Sequence, residues 1–496
     1  MLTVLLFASP PAYAQVNAWT NGSANWEDPH WTLGIPPRAG QAIYFTNQQW
    51  KAVAITSTNA AQSLSVSSIN LWADTESFNA LLLNYSGLGK PLTTGVLNIG
   101  TNAEVTPLDA ALNVTGAMTI NGALNQGEFS LVNAGSINVG TISTVSSTYG
   151  QVGRYNLTNG TLQVAGNVTV GGRGAFGQFD GVQTNGGIAV IGFDPQRTAF
   201  GIASFFLNGG TVSTRSIAVD YGTFSQAGGT NRVSGNVTVS SDSHFSTYQL
   251  DGGFLSCSNT TVDYTAGVFI QSAGLHIVTN LLRISHPDNG SGYIQSGGQL
   301  IAPNIQVDTG AAFHHNGGVV SNTNLLTLLG QNSAWIENTA GQQMGRLLLG
   351  DFTSLLSLPS IPCVLRFANS SSVTWSNQAM LTIENWNGAR TGGGQHQIYF
   401  GTSAGGLTAH QLSQIQFHNP TGFPGFFPAA ILSTGEIVPV SLIQTIRLGN
   451  ALVLQFPIGT TLQTSTNVTG PYTDVATSSP FTNQFIGPQR FFRIKN

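Results

Sequence analysis

Between Tyr155 and Gly318 one short pattern recurs eight times: an aromatic residue, then a glycine five positions later. The aromatics are Tyr155, Phe176, Phe205, Phe224, Tyr248, Phe269, Tyr293 and Phe313. The glycines are Gly160, Gly181, Gly210, Gly229, Gly253, Gly274, Gly298 and Gly318, spaced 21, 29, 19, 24, 21, 24 and 20 residues apart. A unit of this size, rebuilt at each repeat, implies stacked coils rather than one globular core.

One unit reads Phe224-Ser225-Gln226-Ala227-Gly228-Gly229, followed by Val237-Thr238-Val239. Residues two apart on a strand share a face. Each aromatic therefore points the same way as its i+2 neighbour: Leu157, Gln178, Leu207, Gln226, Leu250, Gln271, Gln295 or His315. Stacked in register about 4.8 Å apart, they predict one ladder of rings and a second of Leu, Gln and His. Each buried Gln is expected to bond the amides of its neighbours above and below. Glycine suits the corner because a sharp turn often needs positive φ. The longest unit, before Gly210, predicts a surface loop at 193–197.

The expected fold is all-β: a right-handed parallel β-helix of about 22 residues per turn. A β-sandwich array is the alternative, and it would need hairpins inside each unit. The expected organisation is an export signal at 1–14, a cap with first strands at 15–83 and the β-helix at 84–330. A β-rich region at 331–444 and a small β-module at 445–496 follow. The cap is read from Trp19, Trp26 and Trp31, which could cover an open sheet edge or serve as a sugar platform. In the C-terminal region a short helix is predicted over 408–416, with Thr408 and Gln411 forming a capping box. Strands are predicted at 380–384, 397–400 and 430–438, then at 452–456, 461–464, 472–475 and 491–494.

Charged residues are only 7% of the chain and net charge is −4. Without a basic stripe, nucleic acid and anionic membrane surfaces are not expected partners. No stretch after the N-terminus is long and apolar enough to span a bilayer. Leu2 to Ala8 is apolar, and Ala12-Tyr13-Ala14 fits a cleavage site, so export is expected. Cys257 and Cys363 could form one bridge or remain two buried thiols.

Motifs that could carry chemistry fail on context. Gly401-Thr402-Ser403-Ala404-Gly405 matches G-x-S-x-G, but the helix does not follow at once and the acid and histidine come in the wrong order. Gly171-Gly172-Arg173-Gly174-Ala175-Phe176 begins like a calcium-binding nonapeptide, but Phe176 stands where a carboxylate is needed. His314 and His315 should face opposite sides of a strand. Asp180, Asp194, Asp220, Asp242, Asp251, Asp263, Asp288 and Asp308 are scattered, although Asp220, Asp263 and Asp308 share an offset of ten from the turn glycines. No catalytic, metal or cofactor-binding residue is assigned, and no cofactor is expected.

Asn25-Trp26, Trp31, Gly34-Ile35-Pro36-Pro37 and Gly40, together with the glycine-punctuated units, resemble bacterial exported proteins with autotransporter-associated β-strand repeats. Ile398-Tyr399-Phe400-Gly401-Thr402 with Gly406-Leu407-Thr408, Gln411-Leu412 and Ile415 resembles a region near the end of such proteins, PEP-CTERM-type members included. Leu462-Gln463-Thr464-Ser465-Thr466-Asn467, Gly470-Pro471-Tyr472 and Phe491-Phe492-Arg493 resemble a C-terminal β-module of large bacterial exported proteins. The resemblance implies a secreted or surface passenger-like role without established chemistry. No membrane barrel, and no anchor helix after Ile494-Lys495-Asn496, is read from the residues. The expected function is a structural or adhesive solenoid that meets a glycan or a cell-surface protein. The alternative is a β-helix that binds or cleaves polysaccharide.

Overall fold

The computed structural model describes residues 14–56, 61–140, 153–191, 203–240, 246–263, 266–285, 291–422, 424–440, 443–456, 461–484 and 489–495. The export signal expected at 1–14 therefore lies outside the described residues, apart from Ala14. So do the loop at 193–197 and Asp194, Asp242 and Asp288.

The chain is nearly all β, with 59% strand and 2% helix, and its parallel coils form a β-solenoid of about 14 turns, about 23 residues per turn. It divides into two units, 1–277 and 278–496. Parallel pairing joins consecutive coils throughout 155–269, so the sandwich alternative fails there.

In the first unit, pairing begins with Val16–Ala18 against Ala42–Phe45, which in turn pairs with Ser65–Leu71. One interior file runs Ile43, Ile69, Leu97, Met118, Ile137, Val168, Ile188, Ile217, Val237, Thr260 in register. All ten are buried. Stacking like on like lets each coil bury its apolar face without a second layer, which is how so weakly charged a chain builds a core. A second file holds the rings. Tyr155, Phe176, Phe205, Phe224, Tyr248 and Phe269 stack 4.6–4.8 Å apart and nearly parallel.

Three tryptophans cluster near the start of this unit. Trp19, Trp26 and Trp31 are buried, and Trp31 meets Trp19 and Trp26 edge to face at 4.9 and 5.1 Å. All three also pack against Phe45, and rings buried in this way offer no sugar platform.

In the second unit Tyr293, Phe313 and Trp335 stack at 4.9 and 4.4 Å. Parallel coils continue through Phe352–Ser357, Ala379–Glu384 and Ile415–His418. The parallel run of this sheet ends in an antiparallel hairpin, Phe426–Ile431 with Glu436–Pro439. The hairpin replaces the single strand expected over 430–438. Gly435, at φ +85, donates its N–H to the Leu432 carbonyl and turns the chain back there. The helix spans only Ala409–Ser413. Thr408 and Gln411 form the expected capping box, but Gln414 closes the helix and Ile415 opens the next strand. The terminal module holds two three-stranded antiparallel sheets around Leu454, Phe456 and Leu462.

Candidate functional site

The eight rings and eight glycines occupy structural positions. Each ring is fully buried, and each glycine has φ between +67° and +93°. A Cβ on Gly210 would lie 2.3 Å from the carbonyl oxygen of Gly181 one coil away. These corners thus exclude side chains twice, by backbone conformation and by stacking.

The Gln file differs from expectation. The amides of Gln126, Gln178, Gln226, Gln271 and Gln295 each donate to a backbone carbonyl at the glycine corner or the following strand. Gln126 Nε2 reaches Thr161 O at 2.8 Å, Gln226 reaches Phe254 O at 2.9 Å and Gln295 reaches Val319 O at 3.2 Å. Gln and Leu alternate along much of the file, so a neighbouring amide is often missing.

Reactive side chains inside the coils are also used structurally. Thr260 interrupts the aliphatic file, and its hydroxyl lies 3.1 Å from both Cys257 Sγ and His276 Nε2. Burial pushes the Cys257 thiol up to about 11 and His276 down to about 3. Cys363 is also buried, and both cysteines are free thiols. In the second unit His315 Nδ1 lies 2.8 Å from Glu337 Oε1, with both side chains buried. His314 faces the other way and is half-buried, as the alternation required.

The remaining motifs resolve simply. Ser403 Oγ accepts from Gly405 N at 3.3 Å, capping a one-turn 3₁₀ helix. Phe176 belongs to the ring ladder. Asp220 and Asp263 align on one outer file with Ser240 between them. Asp180 accepts from Gly181 N, and Asp308 pairs with Arg283 at 2.7 Å. Among the described residues no group of three or more His, Cys, Asp or Glu could hold a metal. No helix among them is long and apolar enough to cross a membrane.

One cleft on the second unit brings together groups that can bind. It has a volume of about 540 Å³ and is lined by Asn332, Thr353, Leu355, Thr382, Glu384, Gln416, His418 and Phe426, among others. The strand alternation explains this set. In Ala379–Glu384, Leu381 and Ile383 point inward and Glu384 lies on the outer face, with Thr382 lining the cleft but itself buried. In Ile415–His418, Ile415 and Phe417 point inward, leaving Gln416 and His418 outside. Register then sets Gln416 beside Thr382, with Gln416 Nε2 donating to Thr382 Oγ1 at 3.0 Å. It also sets His418 beside Glu384, Nδ1 to Oε1 at 3.2 Å. Phe426 stacks on the His418 ring at 4.5 Å and is 58% exposed. Asn419 Nδ2 donates to His418 Nε2 at 3.0 Å, which places the ring proton on Nδ1. The sequence patterns give no role to Glu384, Gln416 or Phe426. For His418 they give only a place after Ser403 and before Glu436, the wrong order for a hydrolase.

Comparison with known proteins found no matching family model, no matching curated protein and no matching solved structure.

Proposed function

We propose that the chain is a secreted or cell-surface β-solenoid with a structural and adhesive role and without catalytic activity. This agrees with the exported repeat proteins that its sequence resembles. The observation that carries the reading is where the reactive groups lie. Cys257, His276, His315 and Glu337 are buried among the ladders that hold the coils together, where no substrate reaches them. The outer cleft retains a surface suited to contact. Among its lining residues Glu384 is the one carboxylate, whereas glycoside hydrolysis generally uses two. That favours holding a partner over cleaving it. Cell fractionation with surface proteolysis should place the chain outside the cytoplasm. The purified protein should release no reducing ends from a polysaccharide panel. Cytoplasmic residence would overturn export, and sugar release would overturn the non-catalytic role.

A further inference from the structure

We infer that the cleft bounded by Phe426, His418, Glu384, Gln416 and Thr382 is a binding site for a neutral saccharide chain. The inference rests on the adhesive reading above and names the ligand class for it.

The lining matches the two kinds of surface on a sugar ring. A pyranose offers an apolar face of C–H groups and an equator of hydroxyls that both donate and accept. Phe426 supplies the complementary flat apolar surface. One of its faces rests on His418 and the ring is more than half exposed. Beside it the Gln416 amide, the Thr382 hydroxyl and the Glu384 carboxylate offer donors and acceptors within one cleft. Gln416 is held by its bond to Thr382 and Glu384 by its contact with His418, so little side-chain freedom is lost when a ligand arrives. A volume of about 540 Å³ falls within the small-ligand range.

Charge selects among ligands. Among the described residues no Lys or Arg lines the cleft, so a nucleotide or sulfated glycan meets no cation from them. The His418 proton is directed at Glu384, and that carboxylate repels uronic acids. A protein partner would need far more surface than this cleft supplies.

The test is calorimetric titration of the full chain with cellohexaose, xylohexaose, mannohexaose and hexagalacturonate. At least one neutral hexasaccharide should bind, and hexagalacturonate should not. Phe426→Ala should weaken binding about tenfold, by loss of an aromatic contact. Gln416→Ala should weaken it independently, which covers any misfolding of the first variant. Trp50→Ala removes a ring that is 74% exposed in the first unit and should leave binding unchanged. Binding to none of the neutral sugars would overturn the inference, as would binding lost in Trp50→Ala but kept in Phe426→Ala. If the chain is still found at the cell surface, that failure ends the saccharide assignment alone. Release of reducing ends from a sugar that Phe426→Ala no longer binds would end the non-catalytic reading and leave this site standing.

Discussion

The hydroxyl of Tyr248 donates to Gln226 Oε1 at 2.8 Å, joining one coil of the solenoid interior to the next. Tyr155 makes the same bond to Gln126 at 2.6 Å. Where the ring of the next coil is Phe, the oxygen lacks this donor. Gln178 Oε1, facing the Phe205 coil, and Gln295 Oε1, facing the Phe313 coil, are buried without a hydrogen-bond partner. Tyr155 and Tyr248 each follow a Gln one coil earlier, whereas Gln178 and Gln295 are followed by Phe and keep an unpaired oxygen.

A gain of stability follows. Phe205→Tyr should place a hydroxyl against Gln178 Oε1 and stabilise the fold by about 1 kcal/mol. Tyr248→Phe should cost about 1–3 kcal/mol, because Gln226 Oε1 and Asn231 Nδ2 both lose their partner. Urea unfolding of the two variants should show midpoints moving in opposite directions. Movement in the same direction would refute the pairing rule.

The ring file and its glycine corners are legible in sequence because they depend on local rules, two-residue alternation and positive φ. Trp335 and Glu337 continue that file beyond Phe313 and Gly318, pairing with Phe313 and His315. The glycine after Trp335 is Gly341, six positions on, so the spacing of five misses it. The cleft is less legible still. Glu384 and His418 are 34 residues apart, and a helix intervenes. Alternation shows that each points outward, but only the register between coils shows that they meet. The Gln bonds differ from expectation for a related reason: the sequence shows which residues stack, but not that the corner carbonyls lie nearer than the next amide.

The corners should tolerate no side chain. Gly229 has φ +67°, and a Cβ there would lie 2.8 Å from the carbonyl oxygen of Gly210. Gly229→Ala should lower stability by at least about 1 kcal/mol. Gly22, where an added methyl group would meet nothing within 4 Å and φ is not positive, should accept alanine within about 0.5 kcal/mol. Thermal melts of the pair check this. Equal effects would show that the corner glycines are dispensable.

Acid should weaken the first unit through His276. Burial lowers it from 6.5 to about 3, so above the ordinary value both folded and unfolded chains hold it neutral. Below that, the unfolded chain takes up a proton and the fold does not. Stability therefore falls as pH drops from about 6.5 towards 3, by about 2 kcal/mol at pH 5. Replacing His276 by Phe keeps a ring against Phe269, on which His276 stacks at 4.8 Å, and Thr260→Val continues the aliphatic file; together they remove the titrating group. The double variant should lose that part of the slope in denaturant titrations at pH 7, 6 and 5. An unchanged slope would assign the acid sensitivity elsewhere.

The two cysteines should be silent in the native protein. Burial raises Cys257 to about 11, and burial with the nearby Glu337 charge raises Cys363 to about 12. Neither presents a thiolate at neutral pH. Ellman's reagent should titrate no thiol before unfolding and two after it in denaturant without reductant. No thiol after unfolding would mean a disulfide.

Glu337 should be the costliest polar residue of the second unit to replace. It takes the file position that Gln fills elsewhere, yet it accepts from Trp335 Nε1 at 3.2 Å, Thr339 N at 3.1 Å and Thr339 Oγ1 at 2.6 Å, besides facing His315. Leucine suits the same file at Leu157, Leu207 and Leu250, so shape and hydrophobicity alone would forecast a mild effect. Glu337→Leu instead strands several buried donors at once, each costing about 1–3 kcal/mol. A loss above about 3 kcal/mol is expected, with Glu337→Gln, which keeps one acceptor oxygen, falling between. Measured by urea unfolding, a leucine variant within about 0.5 kcal/mol of the parent would mean that water or rearranged backbone satisfies those donors. The polar file would then be filler in the core and not part of what holds the coils in register.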